Sequence, residues 1–503
     1  TILPLRPDFR MLTRQKVGLA LGPALFALVV LLPEPQSMVD AVPLGMPTHA
    51  PQVALGTLLW MLAWWLTECV PLGIAALLAP LVLSMAGIVD WKTSLSSFTD
   101  PIIWIFIAGF VLAASFRKWD LDRRISVRLA ALYKGSNPKV AALFVCSLPV
   151  FLLTLTGSIT ASTSVVLPFL VAYLAMVGAK SGSRYSEAST LALAQAATAG
   201  AMLLLISTPP NLIAKATAQQ LGHSLTFFDW LIVGTPHAIL GLLISWHVTF
   251  AFIKPEMKVL KVDREKLAKA QRDLGALSRG EKVVLAILLV AVTLWILPSA
   301  VTIAADTNPG LAGLSDSLSR LMPEAMPAVL VIIVAGLVRV KDEPVLRWKE
   351  IAEGVDWNVV FLFGGGIALG VGLDRSGFAD WLAGGVAATL GASANAWTIF
   401  AVSALLGFVL SYAASNTAAA LIGCPIAASL ALGAGLSPVG PIVAAALACS
   451  ISSAIPSTTP PMAIVYSSGY VRIWDMFRIG MVSDLLRLGA LIAVGPLLVG
   501  LIE

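Results

Sequence analysis

From Gly18 onward, almost every window of the chain offers an apolar stretch close to the roughly 20 residues that a helix needs to cross a bilayer. The runs are built from Leu, Ala, Gly and Val and do not alternate as barrel strands do. The pattern predicts an all-α polytopic membrane protein. Polar residues break it in few places, and four of those breaks form two pairs.

The first pair is LTLTGSITASTSVVLP, from Leu153 to Pro168, and SYAASNTAAALIGCP, from Ser411 to Pro425. Ser158 and Ser415 stand 257 positions apart, and the same offset carries Thr154 onto Ser411, Pro168 onto Pro425 and Ala108-Gly109 onto Gly365-Gly366. The second pair is STPPNLIA at Ser207 and TTPPMAIV at Thr458, with Thr208 and Thr459 separated by 251. Motifs in one order at nearly constant separation mark a duplicated unit. The chain divides into N-terminal spans over 1–100, a first repeat over 101–240 and a basic loop with further spans over 241–355. A second repeat over 356–490 and the end of the last span over 491–503 complete it.

Two consecutive prolines inside an apolar run break a helix, because proline lacks a donor and restricts the residue before it. Irregular backbone at membrane depth persists only where protein covers it or it lines a cavity. Interrupted segments at matching places in two halves point to a transporter site near the midplane.

Composition narrows the class. The chain has 503 residues, 58% hydrophobic and 12% charged, with mean hydropathy +0.89; soluble chains carry about 25% charge. The net charge of +5 gathers at span ends and in the stretch from Lys254 to Lys282, which holds nine Lys and Arg. This distribution excludes a nucleic-acid role. Positive loops stay inside, so this stretch and the basic N-terminus (Arg6, Arg10, Arg14, Lys16) are placed in the cytoplasm of a bacterial-style inner membrane. An amphipathic helix on the headgroups would lie on the same side. The apolar run Val17–Leu32 reads as a retained span, since no small-residue cleavage site follows it. Cys69, Cys146, Cys424 and Cys449 are isolated and read as small buried hydrophobes. The four histidines form no metal spacing. No cluster has catalytic spacing, so the reading is a transporter and not an enzyme.

The chemistry of the breaks follows from their backbone. A helix N-terminus offers free N–H groups and partial positive charge to an anion. The end of the preceding half-helix offers carbonyls which, with Ser/Thr hydroxyls and an Asn oxygen, suit an alkali cation. No Lys, Arg, His, Asp or Glu lies within Thr154–Pro168, Ser411–Pro425, Ser207–Asn211 or Ser457–Pro461. Lone Ser and Thr in membrane helices more often bond their own backbone, and it is the duplication in register that argues for a site. Gly364–Gly366 reads as close helix packing, not a phosphate loop. Glu68 is either a buried proton relay or an interfacial acid before Pro71.

SNT at Ser415-Asn416-Thr417, SIT at Ser158-Ile159-Thr160, the two TPP breaks and WWLTECVPLGIAALLAPLVL near the start resemble the divalent anion/sodium symporter family of dicarboxylate, citrate and sulfate carriers. The resemblance runs from about Trp60 to the end. It implies about eleven transmembrane helices, two inverted repeats with re-entrant hairpins, a homodimer and an elevator-type movement of a transport domain. Carried over, the second-half sodium position involves Ser411, Ala414, Asn416 and the backbone near Thr458. The first-half position involves Thr154, Ser158 and the backbone near Ser207. Substrate binding falls to Ser158, Thr160, Thr208, Pro209, Ser415, Asn416, Thr417, Thr459 and Pro460.

The chain departs from that pattern at three positions. Ile159 stands where the family has Asn, Ser207 where it has Gly, and Met462 where it has Asn. Ile159 offers no oxygen to sodium and no amide to a carboxylate, which weakens the first-half position. The resemblance implies sodium-coupled symport of a small divalent anion, with a C4 dicarboxylate such as succinate expected. The alternatives are sodium-independent dicarboxylate exchange on the same fold and transport of sulfate or another small anion.

Overall fold

The computed structural model describes residues 13–260, 264–390 and 395–503. Arg6 and Arg10 of the basic N-terminus and Lys261 of the basic loop lie outside these. The described chain is helical apart from a two-residue hairpin pairing Arg339–Val340 with Glu343–Pro344. Nine helices among the described residues are long and apolar enough to cross a membrane, and Pro309–Leu321 with Ala325–Leu337 forms a pair bent by 57° that can count as a tenth. The count is below the expected eleven because Gln15–Leu31, Leu72–Met85 and Val439–Cys449 are apolar but shorter than a full span.

One order of elements occurs twice. The first series runs through the span Trp91–Lys118, the amphipathic helix Leu121–Leu132, the hairpin Pro138–Thr156 and Ile159–Met176, the broken helix Arg184–Gly200 and Pro209–Gln220, and the long helix Phe227–Phe252. The second runs through Trp357–Arg375, Phe378–Leu390, the hairpin Ala396–Ala413 and Asn416–Gly433, the broken helix Val439–Cys449 and Pro460–Ser467, and the long helix Ile473–Val499. In the loop between them, Arg264–Asp273 forms a short amphipathic helix beside Leu121–Leu132. Arg124 fastens it by pairing with Glu281 and donating to the carbonyls of Leu274 and Gly275.

The chain forms two compact units, Thr1–Ile103 with Trp357–Ala392, and Trp104–Asp356 with Ser393–Glu503. In the former, Gly364 and Gly365 serve close packing: a methyl on Gly365 would lie 2.2 Å from the Ala76 carbonyl, and one on Gly364 2.3 Å from the Phe98 ring. Glu68 is exposed, in a left-handed turn (φ 48°) that ends Ala50–Thr67. The buried-relay expectation for it therefore fails, because the chain leaves the helix there ahead of Pro71. The second unit holds both hairpins and both broken helices. All four cysteines of the chain are buried free thiols.

Candidate functional site

The tip of the first hairpin is built by three local rules. The outgoing arm tightens into a 3₁₀ turn at Thr154–Thr156, and Gly157 takes the left-handed conformation (φ 89°) that ends a helix without a Cβ clash. Ser158 is extended and caps the return helix, its Oγ accepting from Ala161 N at 3.1 Å. The second tip repeats this with Ala414 and Ser415 extended and Ser415 Oγ accepting from Ala418 N at 3.3 Å. Pro168 and Pro425 lie inside the two return helices.

The breaks obey proline chemistry. Thr208 (φ −155°, ψ 152°) and Thr459 (φ −143°, ψ 148°) are extended as residues before proline must be, and the Pro-Pro pairs open new helices where missing N–H groups cost nothing. In the first break Asn211 Nδ2 donates to the Ala201 and Leu204 carbonyls, both at 2.8 Å, closing gaps left where Arg184–Gly200 ends. Asn211 Oδ1 and Thr459 Oγ1 are buried with no protein partner among the described residues.

Each tip packs on the break of its own repeat. A methyl on Gly157 would stand 3.0 Å from Gly109 Cα and 3.3 Å from the Ile206 carbonyl. Thr154 Oγ1 donates to Phe151 O at 2.6 Å and Gly200 O at 2.8 Å. In the second repeat Ser452 Oγ donates to Asn416 Oδ1 at 3.3 Å. The repeats also interlock. Pro209–Gln220 packs against the return helix Asn416–Gly433, and Pro460–Ser467 packs against Ile159–Met176.

Among the expected residues, Thr154, Ser207, Thr208, Ser411, Ala414, Asn416, Thr458 and Thr459 are buried, and Ser158, Pro209, Ser415 and Thr417 are half-buried. Thr160 and Pro460 are exposed. Ile159 is buried and directs an apolar side chain inward where the second tip has Asn416. The hydroxyls of Thr154, Ser411 and Thr458 bond carbonyls three residues back, so their remaining lone pairs are all they can offer a cation. Asp122, on the amphipathic helix, lines a narrow cleft beside the first tip with Thr156 and Ser162. Burial raises its carboxyl above the usual range, with the Arg123 amide opposing.

Sequence reasoning missed Thr198, Tyr412, Ser453, Asp484 and Arg487, which form a polar network under the second break, and Ser452 beside it, which donates to Asn416. The signal was present, since Asp484 and Arg487 stand one turn apart inside the apolar run MVSDLLRLGALIAVG.

Duplicated hairpins and Pro-Pro breaks within a helical, multi-pass fold define a membrane transporter. The chain belongs to the family described as the sodium:sulfate symporter transmembrane region, whose model matches residues 15–500. It is 29% identical over 494 residues to the sodium-dependent dicarboxylate transporter SdcS of Staphylococcus saprophyticus, covering 95% of this chain and 90% of that protein. To the SdcS of Staphylococcus aureus strain MRSA252 it is 28% identical over 503 residues, covering 97% and 93%. These relatives are transporters, not enzymes. The fold is that of Neisseria gonorrhoeae MtrF, of a class of antimetabolite efflux pumps (TM-score 0.54, 15% identity, 91% of this chain and 96% of that one). The Alcanivorax borkumensis YdaH transporter is also similar (TM-score 0.51, 14% identity, 82% and 87%).

Proposed function

We propose that this protein is a sodium-coupled symporter of small dicarboxylates, with a C4 acid of the succinate type as substrate. The observation that carries the reading is the pair of serine-capped hairpin tips, each packed on the Pro-Pro break of its own repeat. Four helix N-termini follow Ser158, Thr208, Ser415 and Thr459, and no charged side chain lies within the motifs. Amide N–H groups and the hydroxyls of Thr160 and Thr417 would hold carboxylates there. The names of the staphylococcal relatives support both sodium and dicarboxylate.

In this reading sodium binds first, between Ser411, Ala414, Asn416 and the backbone near Thr458, and orders the second tip. The first-half position at Thr154, Ser158 and Ser207 contributes less, because Ile159 supplies no ligand. The anion then docks between the tips with Thr208-Pro209 and Thr459-Pro460 around it. The loaded domain crosses the membrane as an elevator against the remaining spans, within a homodimer of chains built from inverted repeats. Sodium-independent exchange is the second reading, favoured by the burial of Ile159 in the first tip. Replacing Thr160 and Thr417 by Ala, one at a time, tests the site. Each should cut labelled succinate uptake by about tenfold or more, and unchanged uptake in both would remove the assignment.

A further inference from the structure

The last helix, Ile473–Val499, carries two charges in its apolar run. Asp484 and Arg487 expose 0% and 1% of their side chains and stand 3.6 Å apart, Arg487 Nη1 to Asp484 Oδ1. Charges at membrane depth are costly and persist where they are paired and used. Asp484 accepts from Ser453 N (2.5 Å) and Ser453 Oγ (2.6 Å) in the second break, and from Tyr412 Oη (2.5 Å) in the second hairpin. Arg487 Nη1 donates to the Ile451 carbonyl at 3.1 Å, and to Thr198 Oγ1 at 2.9 Å just before the first break. Its Nε and Nη2 have no protein partner among the described residues, so Asp484 is the main compensation for the guanidinium. Gly480, one turn earlier, lets the helix touch the break: a methyl there would lie 2.4 Å from Ala454 Cα.

These contacts end one residue short of the cation position described above. Tyr412 follows Ser411 in the chain. Ser453 follows Ser452, which donates to Asn416. A site of neutral oxygens binds sodium well only if its ligands are held in place by a second layer of fixed groups. Asp484 fixes backbone and side chain of the break and the neighbour of Ser411 together.

We propose that Asp484 is a positioning residue for the second-half sodium site, and that Arg487 is the counter-charge that ties this site to the first repeat. The inference rests on the sodium-coupled reading. It is tested on the full-length protein in proteoliposomes, by titrating sodium chloride in labelled succinate uptake at high succinate. The variants are Asp484→Asn, Tyr412→Phe and the double Asp484→Asn/Arg487→Gln. Asp484→Asn should raise the half-saturating sodium concentration about tenfold, while the succinate KM at high sodium moves far less. Tyr412→Phe should shift it less, in the same direction.

Asp484→Asn leaves a buried unpaired guanidinium and can prevent folding. The double variant removes both charges and carries the same expectation. A merely structural pair would lower maximal uptake and leave the sodium midpoint unmoved. A folded single or double variant with the wild-type midpoint overturns the positioning role alone, provided the wild type requires sodium. A wild type indifferent to sodium overturns both this inference and the symport reading.

Discussion

Ser452 Oγ donates to Asn416 Oδ1 across 3.3 Å, tying the second helix break to the second hairpin tip. In the first repeat Ile159 occupies the place of Asn416, and Asn211, in the break, spends Nδ2 on the Ala201 and Leu204 carbonyls while its Oδ1 stays without a protein partner among the described residues. The two halves therefore share a backbone plan and differ in the oxygens they present.

Asn416→Ala should reduce sodium-driven uptake by about tenfold or more and raise the sodium concentration needed. A buried amide and the hydroxyl that donates to it lose their bond, at a cost of about 1–3 kcal/mol. Uptake measured at several sodium concentrations checks this. Wild-type behaviour would remove Asn416 from the site.

Gly157→Ala should destabilise the fold by about 1–3 kcal/mol. The position has φ 89°, and the added methyl would meet Gly109 Cα at 3.0 Å. Gly178 has φ 73° but open space around it, so Gly178→Ala carries the backbone cost alone and should lower the unfolding temperature less. Equal losses in the two variants would contradict the close approach of tip and span.

Much of this was legible in the sequence. Serine caps and Pro-Pro pairs act within a few residues, so the tips and breaks follow from local rules. The repeat followed from Ser158 and Ser415 in register. The Asp484 network did not, because its partners Thr198, Tyr412 and Ser453 are remote in sequence and only the packing of the last helix on both breaks brings them together. For Glu68 the sequence left a buried relay and an interfacial acid before Pro71 both open, and the left-handed turn at the helix end, which exposes it, removes the buried reading.

Ile159→Asn should make the sodium dependence of uptake steeper, since the proposed reading makes the Asn416 amide a sodium ligand at the matching place of the second tip. The apparent Hill coefficient for sodium is the readout. The buried site leaves the new amide costly if it finds no partner, so a loss of stability without added sodium cooperativity would mean the first-half position is dismantled beyond one residue.

At the end of the span Trp91–Lys118, Lys118 Nζ lies 2.6 Å from Oε2 of Glu350, a residue outside the spans, and the same oxygen accepts from Arg347 N at 2.7 Å. Burial works to raise the Glu350 carboxyl, but these partners outweigh it and hold the group below its usual range. A lowered carboxyl contributes stability that is present above its unfolded value and lost as pH falls through the folded one. Thermal unfolding of Glu350→Gln in detergent should thus respond less to acidification below about pH 4.5 than the wild type. The same acid response in both would remove the pair from the stability of this region.

The most direct measurement is labelled succinate uptake into proteoliposomes under an inward sodium gradient, without sodium, and with unlabelled dicarboxylate inside. Sodium-coupled symport predicts saturable uptake that needs the gradient and needs no internal dicarboxylate. Uptake that ignores sodium and requires internal dicarboxylate would contradict it and make the protein an exchanger.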